Sequence, residues 1–142
     1  MINGNHRAIV STVASDSHTW NLVFLQLLLE EHGYSVTNLG SCVPDDLLVK
    51  ECRELRPDLI AISSVNGHGH QDGRRVISLL RDCPELRDTP VVIGGKLGVA
   101  EGSYGAELRQ AGYTEVFEDG VPAPIDFGQF LQSLPERAGV PV

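Results

Sequence analysis

Short apolar runs alternating with helix-like segments leave this chain few folds to choose from. Ala8-Ile9-Val10-Ser11-Thr12-Val13 and Leu59-Ile60-Ala61-Ile62-Ser63-Ser64-Val65 are β-branched and largely apolar, as strands covered on both faces are. Runs over 34–39, 90–93 and 115–117 read as three further strands. Between the first two strands the spacing predicts a helix over 22–32, stopped by Gly33. Only Gln26 interrupts its apolar first half, so that helix should be buried on more than one face or covered by another chain. Pro44 with Asp45 and Asp46 opens a second helix, its apolar stripe being Leu48, Cys52 and Leu55. A third is expected over 73–81 with Val76, Ile77 and Leu80 inward, and a fourth over 105–111. Phe127, Phe130, Leu131 and Leu134 share one face of a last helix. Five strands alternating with helices predict an α/β domain with helices on both faces of a parallel sheet.

Length and charge narrow the function. The 142 residues suit one domain at ~150 residues each, expected over 1–142 with its core over about 6–135. That is short for an enzyme with a large substrate chamber, so a partner chain is expected. Eleven basic against nineteen acidic residues, a net charge of −8, argue against nucleic acid or an anionic membrane as ligand. No apolar run is long enough to span a bilayer. Three cysteines, Cys42, Cys52 and Cys83, with no CxxC spacing, suit a reducing compartment. With no leader-like N-terminus, a cytoplasmic location is expected.

In such sheets the loops after the strands share one edge, and ligands bind there where strand order reverses. After the first strand comes Ala14-Ser15-Asp16-Ser17-His18-Thr19-Trp20-Asn21, after the third Ser63-Ser64-Val65-Asn66-Gly67-His68-Gly69-His70, and after the fourth Gly94-Gly95-Lys96. An imidazole held by a carboxylate, as Asp16 and His18 could provide, suits metal ligation or general-base work. Asp16 could equally cap the next helix. His68 and His70 at i, i+2 lack the ligand set of a zinc site and fit an exposed glycine loop. Gly67-x-Gly69 fails as a dinucleotide fingerprint, since the third glycine falls at Gly73. The glycines make better sense where backbone approaches a bulky ligand. A phosphorelay receiver would need an aspartate where Ser63 and Ser64 stand, and a flavodoxin a hydroxyl-rich loop after the first strand.

Asp16-Ser17-His18-Thr19-Trp20-Asn21, Ser63-Ser64-Val65 and Gly94-Gly95 together resemble the motifs D-x-H-x-x-G, S-x-L and G-G of the base-off, His-on cobalamin-binding domains. The spacings match across nearly the whole chain. Ser15, the Asn38-Leu39-Gly40 stretch and Ser63-Ser64-x-x-Gly67-x-Gly69 are similar to the small, sigma-type subunits of glutamate (methylaspartate) mutases. The resemblance implies a flavodoxin-like sheet of order 2-1-3-4-5 and adenosylcobalamin as cofactor. His18 would be the lower cobalt ligand in place of the dimethylbenzimidazole base, and Asp16 would hold its other nitrogen. Ser63 would bond the displaced base, Val65 would line the tail pocket, and Gly94 and Gly95 would let the tail lie on backbone. Ser15, Ser17, Thr19, Asn21 and Gly67 complete the implied cofactor-binding set. The sequence departs from the motif twice: Asn21 replaces its glycine, the non-Gly type most tolerant of left-handed backbone, and Val65 replaces its leucine.

The implied activity is a radical carbon-skeleton rearrangement begun by homolysis of the Co–C bond, with the cofactor carrying the hard chemistry. A larger barrel-type catalytic subunit would hold the substrate, two large chains with two small ones, so this chain would be inactive alone. The alternatives are a corrinoid carrier of a methyltransferase system, which usually bears an N-terminal helical bundle, and a non-catalytic cobalamin-binding sensor module.

Overall fold

Where the strands carry apolar side chains on both faces, the chain builds a sheet with helices above and below. The computed structural model describes residues 6–12, 20–64, 69–95, 105–118 and 127–134. Strands β1 (Arg7–Thr12), β2 (Ser35–Asn38), β3 (Leu59–Ser64), β4 (Val91–Gly95) and β5 (Glu115–Glu118) form one sheet in the order β2-β1-β3-β4-β5. Every neighbouring pair is parallel. The expected order is therefore the one observed, with its reversal between β1 and β3.

Helix α1 (Trp20–Glu31) follows β1, α2 (Asp45–Leu55) follows β2, and α3 (Gly69–Arg81) follows β3. A single 3-10 turn, Pro84–Leu86, precedes β4; α4 (Gly105–Ala111) and α5 (Phe127–Ser133) complete the set. One face packs Ile9, Ile60, Ile62 and Ile93 against Leu48, Cys52, Val76, Ile77, Leu80 and Leu108 from α2, α3 and α4. The other packs Ala8, Val10, Ala61 and Val92 against Leu22 and Leu29 of α1 and Phe130 and Leu131 of α5. Each such Leu or Ile taken out of water stabilises the fold by about 1.5–3 kcal/mol before entropy is charged against it.

Several boundaries differ from the sequence reading, each for a local reason. Helix α3 starts at Gly69, four residues before the expected position, so Gly69 and His70 belong to its first turn and not to a glycine loop. Just beyond that turn the Tyr113 hydroxyl donates to the Gly73 carbonyl at 2.8 Å. Pro44 caps α2 in extended conformation (ψ 146°) and is not its first helical residue. Arg56 closes the same helix at φ 50°, with its N–H donating to the Cys52 carbonyl. Strand β4 includes Gly94 and Gly95, expected to lie beyond it. Helix α1 is not buried on more than one face: Leu22 and Leu29 are buried, while Val23, Phe24 and Leu27 are 50–65% exposed.

Candidate functional site

At the C-terminal ends of β1, β3 and β4 the apolar strands give way to hydroxyls and glycines. Thr12 pairs in register with Ser63, Ser63 with Gly94, and Gly94 with Phe117. Strand alternation puts these four positions with Ala61 and Val92 on the α1/α5 face. One residue on, Ser64 pairs with Gly95 and Gly95 with Glu118. Ser11, Thr12, Ser63 and Ser64 are all buried. The Ser11 hydroxyl donates to the Thr12 carbonyl at 3.0 Å, and that of Thr12 reaches the Gly40 carbonyl at 3.5 Å. Among the described residues the Ser63 hydroxyl has no hydrogen-bond partner, although Ser63 is only 5% exposed. Buried hydroxyls are ordinarily satisfied, so one aimed at a cavity wall is available to a ligand.

That cavity is a slot of about 290 Å³ between the sheet and helices α1 and α5. Ala61, Ser63, Val92 and Gly94 form its floor, while Phe24, Leu25 and Leu28 from α1 stand opposite. Phe117 and Phe127 close one end, with their rings edge to face at 5.4 Å. Small floor residues leave the space. A Cβ on Gly94 would come to 3.1 Å from the Phe117 carbonyl oxygen and 3.3 Å from its Cβ. Gly95 has a different reason to be glycine. Its φ is 105°, and a Cβ there would stand 2.0 Å from the Ser64 carbonyl oxygen, so no other residue fits the backbone. Of the two glycines only Gly94 shapes the slot through its missing side chain.

Of the residues read from the motifs, Ser63, Gly94 and Gly95 are brought together here. Ser15, Asp16, Ser17, His18, Thr19, Val65 and Gly67 lie outside the described residues, as does His68. The segment carrying Asp16 and His18 continues from Thr12, the register partner of Ser63. Asn21 is the second residue of α1. The sequence reading missed Phe24, Leu25, Leu28, Phe117 and Phe127. Their signal was present in the excess of apolar residues along 22–29, which has a slot to line as well as a core to fill.

Charged groups steady the same edge from the other side of the sheet. Arg75 of α3 pairs with Asp45 at the start of α2 and with Asp72 at 3.1 Å, tying the two helix N-termini together. Its hydrogen bond to Asp45 raises the Arg75 pKa above its ordinary value, so the pair stays charged. Burial raises the Tyr113 phenol strongly, keeping it a neutral donor to Gly73. A wider surface depression of about 560 Å³ between α2, α3 and the 3-10 turn is lined by Asp46, Lys50, Arg53, Glu54 and Glu85 among others. It lies away from the strand ends, and its Arg53–Glu85 ion pair at 3.2 Å is of the exposed kind. Among the described residues no group of three or more His, Cys, Asp or Glu could hold a metal ion, and no helix is long and apolar enough to cross a membrane.

The arrangement is an apolar slot with a bare glycine in its floor and, among the described residues, one hydroxyl without a partner in its wall. Over 121 residues the chain is 26% identical to a glutamate mutase sigma subunit from Fusobacterium nucleatum, covering 82% of this chain and 87% of that one. It is 32% identical over 114 residues to the HTH-type transcriptional repressor CarA of Myxococcus xanthus, covering 80% of this chain and 38% of the repressor. A monomethylamine corrinoid protein of Methanosarcina barkeri shares the fold, with a TM-score of 0.66 at 19% identity. That alignment covers 80% of this chain and 52% of the corrinoid protein, so the chain spans about half its length. Residues 6–122, from β1 through β5, match the B12 binding domain, and the chain belongs to that cobalamin-binding family.

Proposed function

We propose that this chain is the cofactor-carrying subunit of an adenosylcobalamin-dependent carbon-skeleton mutase of the glutamate mutase type, working in the cytoplasm. The observation that carries cofactor binding is the slot at the ends of β3 and β4, with the buried hydroxyl of Ser63 in its wall and the bare floor at Gly94. The likeness to a sigma subunit over 87% of that subunit's length supports the mutase role.

In this reading His18 would hold the cobalt, and Asp16 would accept the hydrogen bond of its other ring nitrogen, which would fix the tautomer. Ser63 would donate to the displaced base within the slot, while Val65, Gly67, Gly94 and Gly95 would border the tail. Ser15, Ser17, Thr19 and Asn21 would complete the cofactor's surroundings. When bound, adenosylcobalamin would supply a carbon radical. The chain's own work is to hold the cofactor with its base withdrawn, to keep water from the tail, and to present the upper face to a larger barrel-type subunit that binds substrate. The assembly would hold two chains of each kind.

Titration with adenosylcobalamin tests the reading. The expected result is a base-off, His-on absorption spectrum, and an unchanged spectrum at high protein concentration rejects binding. In His18→Ala, hyperfine coupling from a protein nitrogen to reduced cobalt should vanish; if it persists, another residue is the ligand. Turnover should require a large subunit, and mutase activity of this chain alone would overturn the split arrangement.

A further inference from the structure

Among the described residues five large apolar side chains are well exposed, and three of them, Val23, Phe24 and Leu27, lie together on α1. At about 100° per residue they form one stripe, on the side of the helix opposite Leu22 and Leu29, which enter the core. The three present on the order of 300 Å² of apolar surface, the size at which a patch on a monomer is commonly functional. Residues 20–29 contain no charge, and Glu31 ends the stripe one turn beyond Leu27. The charges at the helix ends are reversed from the usual arrangement. Helix α1 has no acidic residue in its first turn and no basic residue in its last, where Glu30 and Glu31 stand at the negative end of the dipole. The Gln26 amide donates to Glu30 along the same helix at 3.2 Å, while Glu31 is exposed.

From this we infer that the outer face of α1 docks a second copy of this chain, the two helices crossing antiparallel about a two-fold axis at the middle of the stripe. In that arrangement Phe24 faces Leu27 of the second copy and Leu27 faces its Phe24, so the same side chains supply both halves of the contact. The reversed direction brings each Glu31 to the amino-terminal turn of the other α1. A carboxylate is favourable there, and that turn has no acid of its own. A parallel pair would set Glu31 against Glu31, with like charges opposed. The apolar area is well below the about 800 Å² per partner of a standard interface, and the net charge of −8 opposes approach. The dimer is therefore weak and concentration-dependent. Nothing in the contact depends on the cofactor.

Sedimentation velocity on the full chain tests this. Between about 1 and about 500 µM a monomer should give way to a dimer. Leu27→Glu puts a carboxylate from each copy into the apolar contact and should hold the chain monomeric throughout. Its melting temperature at low concentration should be unchanged, because Leu27 is exposed. Glu31→Gln removes the end charge without touching the core and should weaken the dimer by about threefold or more. A natural chain that stays monomeric at every concentration overturns the inference and leaves the face to a larger subunit or to another stretch of this chain. A dimer unaffected by Leu27→Glu overturns the assignment to α1. A dimer that Glu31→Gln tightens or leaves unchanged overturns the antiparallel arrangement.

Discussion

Two adjacent glycines at the end of β4 carry different burdens, and substitution should separate them. Gly95→Ala meets the Ser64 carbonyl oxygen at 2.0 Å and requires φ 105°. A loss of about 3 kcal/mol or more in urea-unfolding free energy is expected. Gly94→Ala meets Phe117 at 3.1 Å, which a small shift relieves, so about 1 kcal/mol or less should be lost. That variant should fold and yet bind cobalamin measurably less well, because the new methyl intrudes on the slot floor. The cysteines divide in a similar way. Cys42 is exposed, whereas Cys52 and Cys83 are buried and neither is in a disulfide. Burial, with Cys83 and Glu51 nearby, pushes the Cys52 thiol up to about 12. A thiol-titrating disulfide reagent should label Cys42 quickly and the other two only on unfolding.

At the scale of elements, the edge that carries the slot is braced by a few long-range polar contacts. Tyr113, just after α4, holds the first turns of α3 through its bond to Gly73. Tyr113→Phe removes that bond while the Gly73 carbonyl keeps its place in the helical ladder of α3, and should cost about 0.5–1.5 kcal/mol in chemical unfolding. Arg81 at the end of α3 donates to the carbonyls of Leu86 and Thr89 at 2.8 Å and of Gly112 at 3.0 Å. It thereby fastens the turn before β4 and the turn before β5 to one helix. Burial lowers its pKa from the ordinary value. Arg81→Met removes these donors at once, although the Leu86 carbonyl keeps the Thr89 N–H, and should destabilise by about 2–4 kcal/mol. Helix α1 works differently: one stripe enters the core and another walls the slot. Its outer residues Val23 and Leu27 contribute little to the fold, and Leu27→Gln should shift unfolding by no more than about 0.5 kcal/mol.

For the whole molecule, alkali acts on both cores and most strongly on the one under α2, α3 and α4. Cys52 and Tyr113 both lie in the α2/α3/α4 core, and burial raises both above their ordinary values. A folded-state pKa raised in this way gives stability that is complete below the unfolded value and lost above it. For Cys52 the loss runs from about pH 9 to about 12. The urea midpoint should fall progressively across that range, and Cys52→Ala should flatten part of the decline. At the margin of the α1/α5 core Tyr34 is raised too, by burial and by the nearby Asp58 carboxylate.

Taken by itself, the sequence determined the order of elements and which face of α2 and of α3 turns inward. Those properties follow from periodicity: Leu48 and Cys52 of α2, and Val76, Ile77 and Leu80 of α3, recur at helical spacing and are buried as that spacing requires. It also located Ser63, Gly94 and Gly95, because chemistry-bearing residues at strand ends stand out against apolar runs. It could not divide α1 among core, slot and solvent, since Leu22, Phe24 and Leu28 are chemically alike and only their neighbours tell them apart. Nor could it separate Gly94 from Gly95. Their difference lies in the distance to Phe117 in one case and to Ser64 in the other. Those contacts are set by register between strands some thirty residues apart, which only the assembled sheet decides.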